Sequence, residues 1–132
     1  MHTRPKCSCS GATDLLFSCS RAADIAEIGD RAVRTLHKTG DAKMFCLAGI
    51  AGKVESSDVT TRGADCIVVV DDCDSDSAKK TMELGGNTEF IHVRVSDLWM
   101  ETGKTPVTEE RIAVVVTKLR ELLGRRPEVG EA

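Results

Sequence analysis

Cys66-Ile67-Val68-Val69-Val70-Asp71-Asp72-Cys73 is the stretch whose reading decides the fold. Four apolar β-formers run without a polar interruption into two acids and a cysteine. A strand with one solvated face alternates polar and apolar residues, and Ile67–Val70 does not. It reads as a strand buried on both faces, as in a parallel sheet covered by helices. A helical stretch from Ser77 to Leu84 follows at once. Cys73 then falls just past the carboxyl end of the strand, the edge where open α/β sheets place their chemistry. Cys66, at the strand's start, falls at the opposite end and is expected to be a buried thiol outside any site.

Working outward, Leu15-Leu16-Phe17 reads as a first strand ending at Ser18-Cys19-Ser20. Ala22 to Lys38 reads as a helix, because Ile25, Ile28, Ala32 and Leu36 recur at three- and four-residue spacing. Ser20 is its candidate N-cap and Gly40 its stop. Lys43 to Ala48 reads as a second strand, ending at Gly49-Ile50-Ala51-Gly52-Lys53. That segment lacks the glycine spacing and the Ser/Thr after Lys53 that a phosphate loop needs. Its glycines are read as permitting close backbone approach or a positive φ. Residues 54–64 form a short helix or connector.

Beyond the opening stretch, Asp74 to Gly85 is a helix stopped by Gly85-Gly86. Phe90 to Val95 is a fourth strand whose alternation places it nearer an edge. His92 within it reads as a surface or satisfied histidine rather than a ligand. Ser96 to Pro106 is a loop carrying Trp99. Thr108 opens a last helix containing Ile112, Val115, Val116, Leu119, Leu122 and Leu123. Alternating strands and helices predict an α/β fold: a single-domain open, mainly parallel sheet of about four strands with helices on both faces, flavodoxin-like or Rossmann-like. The expected organisation is a flexible Cys-containing arm over 1–13, the domain over 14–124 and a disordered tail over 125–132.

Composition narrows the function. The 132 residues amount to one domain, with 41% hydrophobic and 30% charged residues, ordinary for a globular protein. The net charge of -3 and the scarcity of aromatics argue against nucleic acid and anionic membranes as partners. No apolar run approaches the roughly 20 residues that span a bilayer. Met1-His2-Thr3-Arg4-Pro5-Lys6 is not followed by an apolar signal core, so a cytoplasmic location is expected. Six cysteines are many for such a compartment, where structural disulfides are disfavoured. Metal binding or thiol chemistry is the expected use of those that converge.

Three of them converge. Cys19, Cys46 and Cys73 fall at or near the carboxyl ends of strands one, two and three, and neighbouring strands lie about 4.8 Å apart. Cys7 and Cys9 sit in the arm, and the chain from Cys7 to Ser18 extends up to about 35 Å, enough to fold back over that edge. Converging thiols suit zinc with four tetrahedral ligands, and also Cu(I) or an iron–sulfur cluster.

Cys19-Ser20 opening a helix with Asp24 and Asp30-Arg31-Ala32, then Lys43-Met44-Phe45-Cys46-Leu47-Ala48-Gly49-Ile50, then Asp71-Asp72-Cys73 followed by Ala78-Lys79-Lys80, resemble the DGC-domain family. The resemblance covers roughly residues 14 to 120, with Cys-Leu-Ala-Gly-Ile its most specific part. It implies a zinc-binding protein with four chelating cysteines, three of them matched by Cys19, Cys46 and Cys73. The chain departs from the family pattern at Arg21, where Gly is usual, at Asp72, where the naming Gly would stand, and at Ser77, where a fourth cysteine would stand. Cys7 or Cys9 is the preferred replacement for that missing ligand.

The leading expectation is therefore a cytoplasmic metal-binding protein, zinc on thiolates at the carboxyl edge, serving storage, delivery or sensing. One alternative is a thiol redox protein using Cys73 with another site cysteine, since cysteines before helices have lowered pKa values. Another is a small-molecule or anion-binding module using helix N-termini with Ser20, Gly49 and Gly52. His2, His37 and His92 are scattered, and no catalytic triad order is apparent, so an enzyme in the ordinary sense lacks support. Protein partners are not addressed by the sequence.

Overall fold

The computed structural model describes residues 13–124. Its centre is β3 (Cys66–Asp71), buried along its whole length. On one side β3 pairs with β1 (Asp14–Ser18), and on the other with β4 (Ile91–Arg94). Strand β2 (Lys43–Met44) completes the sheet beyond β1, in the order β2-β1-β3-β4, every pair parallel. This is the predicted four-stranded α/β sheet, with the fourth strand at an edge.

The uninterrupted valine run is explained by what lies on each side. Side chains alternate faces along a strand. Val68 and Val70, with Leu16 of β1, pack on one face against α1 (Asp24–Thr39) and α5 (Glu109–Leu122). Ile67 and Val69, with Leu15 and Phe17, pack on the other against Ile50 of α2 (Leu47–Ala51) and Ala78 and Met82 of α4 (Ser77–Leu84). Both faces are covered, so both alternating sets are apolar. α3 (Glu55–Arg62) follows α2 on the surface. Gly49 of α2 is required by close packing, since a Cβ there would collide with Ser57 of α3.

The helix ends follow their local chemistry. Gly40 ends α1 with φ 85°, the left-handed conformation glycine adopts freely. Thr108 caps α5, its side-chain oxygen accepting a hydrogen bond from the Arg111 N–H at 3.2 Å. Asp24 at the start of α1 accepts the N–H groups of Gly103 and Thr105 at 3.0 and 3.1 Å, fastening the loop after β4.

Four local expectations are corrected. The second strand stops at Met44 rather than Ala48. After Phe45 N donates to Leu16 O at 2.9 Å, the chain turns into α2, which buries Ile50 in the second core. Cys46 is therefore the N-cap residue of α2, not a strand residue. Ser20 is not the cap of α1, which is Ala23. Ser20 instead adopts φ 50° and donates its hydroxyl to Asp30 at 2.6 Å. The fourth strand ends at Arg94, and Val95–Leu98 winds into a 3-10 turn that buries Val95. Cys66 is buried at the amino end of β3 as expected, but it is disulfide-bonded rather than a thiol. Cys7 and Cys9 lie outside the described residues. Among the described residues no helix is long and apolar enough to cross a membrane.

Candidate metal centre

The carboxyl end of β3 delivers three chemically active residues in succession, Asp71, Asp72 and Cys73. Asp71 is fully buried. Its Oδ1 accepts the Ala78 N–H at 2.8 Å and its Oδ2 the Lys79 N–H at 3.0 Å, so it caps α4 from the neighbouring strand. His92 Nε2 of β4 lies 2.8 Å from the same Oδ2. Asp76, just before α4 with φ 52°, is held by a fork of Arg94, at 2.8 and 2.6 Å. These hydrogen bonds hold its carboxyl below the usual carboxylate range. His92 is thus a satisfied histidine, as the sequence predicts, placed between two carboxylates.

Asp72 points the other way and meets side chains. Its carboxylate is 3% exposed. Oδ1 accepts from Cys19 Sγ at 3.4 Å, and Oδ2 accepts from Arg21 Nε at 2.8 Å. Cys19 is positioned because its N–H donates to Val70 O at 3.1 Å, continuing the β1–β3 ladder past Ser18. Burial pushes the Cys19 thiol up from 9.0 to about 11, and the neighbouring Asp72 charge adds to the effect. A redox thiol is tuned in the opposite direction. Cys19 is also five residues before α1 begins, too far to feel that helix terminus.

The remaining cysteines flank this pair. Cys46 is exposed and shares with Cys19 a cavity of about 440 Å³ also lined by Ser18, Arg34 and Phe45. Ser18 Oγ is buried there without a hydrogen-bond partner, a state that costs about 1–3 kcal/mol and that a ligand or its water would relieve. Cys73 Sγ lies 3.9 Å from Arg21 Nη2 and 3.6 Å from Ser75 Oγ. It opens onto a broader cleft lined with Arg94 and Trp99. Ser77 is exposed on the first turn of α4.

All three predicted cysteines of the described chain thus stand at the carboxyl edge, with β1 between β2 and β3. Among the described residues, the donor groups that lie within 4.8 Å of one another are Cys19 with Asp71 and Asp72, and Asp71 with Asp76 and His92. Cys46 and Cys73 border the first group without belonging to it. The second group is committed to helix capping and an ion pair. The first combines thiol sulfur with carboxylate oxygen, both ordinary zinc donors. The ligand set read from the sequence contains only cysteines and omits Asp72. The signal that could have promoted it is its place directly after a strand buried on both faces, where solvation is not available. The anion-binding alternative meets the same residues: the first N–H groups of α4 already hold the carboxylate of Asp71.

Residues 15–119 match the family model of the DGC domain. Comparison with curated proteins and with solved structures finds no match.

Proposed function

The chain belongs to the DGC-domain family, and from that premise we propose that it is a metal-binding protein that holds zinc at the carboxyl edge of its sheet. Cys19 and Asp72 supply the innermost donors. Cys46, across the shared cavity, and Cys73, on the far side of Arg21, supply further thiolates, and Cys7 or Cys9 stands in where Ser77 replaces a cysteine. The observation that carries this reading is the thiol of Cys19 donating at 3.4 Å to a carboxylate that is 3% exposed, with Asp71 close by. A buried acid beside a thiol is a place where a cation can replace a proton.

The mixed donor set favours zinc. Cu(I) and iron–sulfur clusters select thiolates, whereas carboxylates beside thiolates suit a borderline cation. Binding releases the Cys19 proton, so affinity falls as pH falls. The exposed position of Cys46 and the half-exposed Arg21 suit a metal that is exchanged, as in storage, delivery or sensing, over one locked into the fold. Free thiols at Cys19, Cys46 and Cys73 suit a reducing compartment such as the cytoplasm, with the disulfide-bonded Cys66 as the exception.

Elemental analysis of protein purified without chelator tests the reading. Wild type is expected to carry about one zinc per chain, lost in Cys19→Ser and reduced in Cys46→Ser and Cys73→Ser. Wild type that carries no metal, and takes up none when zinc is supplied, contradicts it.

A further inference from the structure

We infer that Arg21 is a built-in counter-ion which occupies the cation's place at Asp72 and must swing away before a metal binds. The inference rests on the metal-binding reading above and concerns how that site is controlled.

Arg21 bridges two of the proposed ligands. Its Nε donates to Asp72 Oδ2 at 2.8 Å, its Nη2 lies 2.8 Å from the same oxygen, and Nη2 reaches Cys73 Sγ at 3.9 Å. The guanidinium is therefore a positive charge set between a carboxylate and a sulfur, the donors a metal ion would take. Cys19 is on Oδ1 and Arg21 on Oδ2 of Asp72, so a dication beside the Cys19 sulfur would crowd the same carboxylate as the guanidinium, and the two like charges repel.

The two partners of this pair are unequally held. The side chain of Asp72 is 3% exposed and that of Arg21 is 50% exposed. Asp72 is further pinned through its carbonyl, which accepts the Ser96 N–H at 3.0 Å. Arg21 lies in the connection between β1 and α1, beside Ser20 in its left-handed conformation. Asp72 therefore stays in place while Arg21 swings into water. With metal absent, Arg21 spares the fold an unpaired buried carboxylate. With metal present, the incoming cation takes over that task.

Such an arrangement lowers apparent affinity by the fraction of time the arginine is away. It also makes exchange easier, since a returning guanidinium neutralises Asp72 as the ion leaves. The site then loads at high metal supply and releases at low supply, without any movement of the sheet.

The test is a zinc titration of metal-free protein in competition with a chromophoric chelator at fixed pH and salt. Arg21→Ala is expected to bind zinc about tenfold more tightly than wild type. Arg21→Gln, which keeps the side chain's bulk but not its charge, is expected to behave like Arg21→Ala and serves as the reading if the alanine variant folds poorly. Arg21→Lys is expected to stay near wild type. Raising the salt concentration is expected to shrink the difference between wild type and Arg21→Gln, because a half-exposed pair is screened. Equal or weaker binding by both neutral variants overturns it and leaves the metal reading standing. Zinc bound by neither wild type nor variants overturns both.

Discussion

Asp71 and Asp72 are consecutive, both are buried, and both stand at the carboxyl end of β3, yet they are satisfied by different kinds of partner. Asp71 continues the face that packs on α4. Its oxygens are taken by the Ala78 and Lys79 N–H groups and by His92. Asp72 continues the opposite face and meets a thiol and a half-exposed guanidinium. Backbone donors cannot leave without unwinding a helix, whereas a thiol proton and an arginine side chain can. A carboxylate held by fixed groups is structural. One held by removable groups is where a cation can be exchanged.

The sharpest way to break this contrast is through stability. Asp71→Ala is expected to destabilise the fold by about 3 kcal/mol, because it leaves the first-turn N–H groups of α4 and the half-buried His92 without their acceptor. Asp72→Ala is expected to cost about 1 kcal/mol, because Arg21 turns to water. Urea unfolding with an unchanged slope measures both, and equal losses would erase the distinction.

Zinc binding is expected to divide the same pair in the other direction. Asp72→Asn should weaken zinc at least tenfold, the equivalent of about 1.4 kcal/mol, while unfolding in the absence of metal changes little. A chelator competition that finds Asp72→Asn indistinguishable from wild type would remove Asp72 from the site.

A smaller effect is expected in alkali. The thiol of Cys19 titrates near 11 in the fold and at 9.0 when unfolded, so between these values the folded state holds the extra proton. The Cys19 contribution is therefore complete below pH 9.0 and is lost as pH rises toward 11. Metal-free wild type should lose stability across that window more steeply than Cys19→Ser, and parallel curves would count against the half-buried thiol–carboxylate pair.

The smallest effect lies on the structural side, in acid. Arg94 holds the Asp76 carboxyl below its usual range, so its contribution is present above the unfolded value and is lost as pH falls below about 4. Asp76→Asn should flatten that acid limb while leaving zinc affinity unchanged.

Much of this organisation is legible in the residues. Ile67–Val70 is short, rich in β-branched residues and bounded by acids, which marks it as a strand covered on both faces, and from it follow the sheet, the helices around it and the edge where Cys19, Cys46 and Cys73 collect. Gly40 and Thr108 announce helix ends by their own chemistry. Cys46 is harder to place because Lys43 to Ile50 is continuously apolar after its first residue, and such a run carries no period to separate strand from helix. The outcome is decided by a distant contact, Ile50 packing with Met82 in the second core. The split between Asp71 and Asp72 is equally non-local. Asp72 meets Cys19 and Arg21 across 53 and 51 residues of chain, and nothing in Cys19-Ser20-Arg21 announces that pairing.

The central claim is that zinc is bound by sulfur at this edge, and zinc K-edge X-ray absorption of the zinc-loaded protein tests it most directly. The account predicts sulfur neighbours at about 2.3 Å, reduced in number in Cys19→Ser. A shell of only oxygen and nitrogen at about 2.0–2.2 Å, unchanged by that substitution, would contradict it.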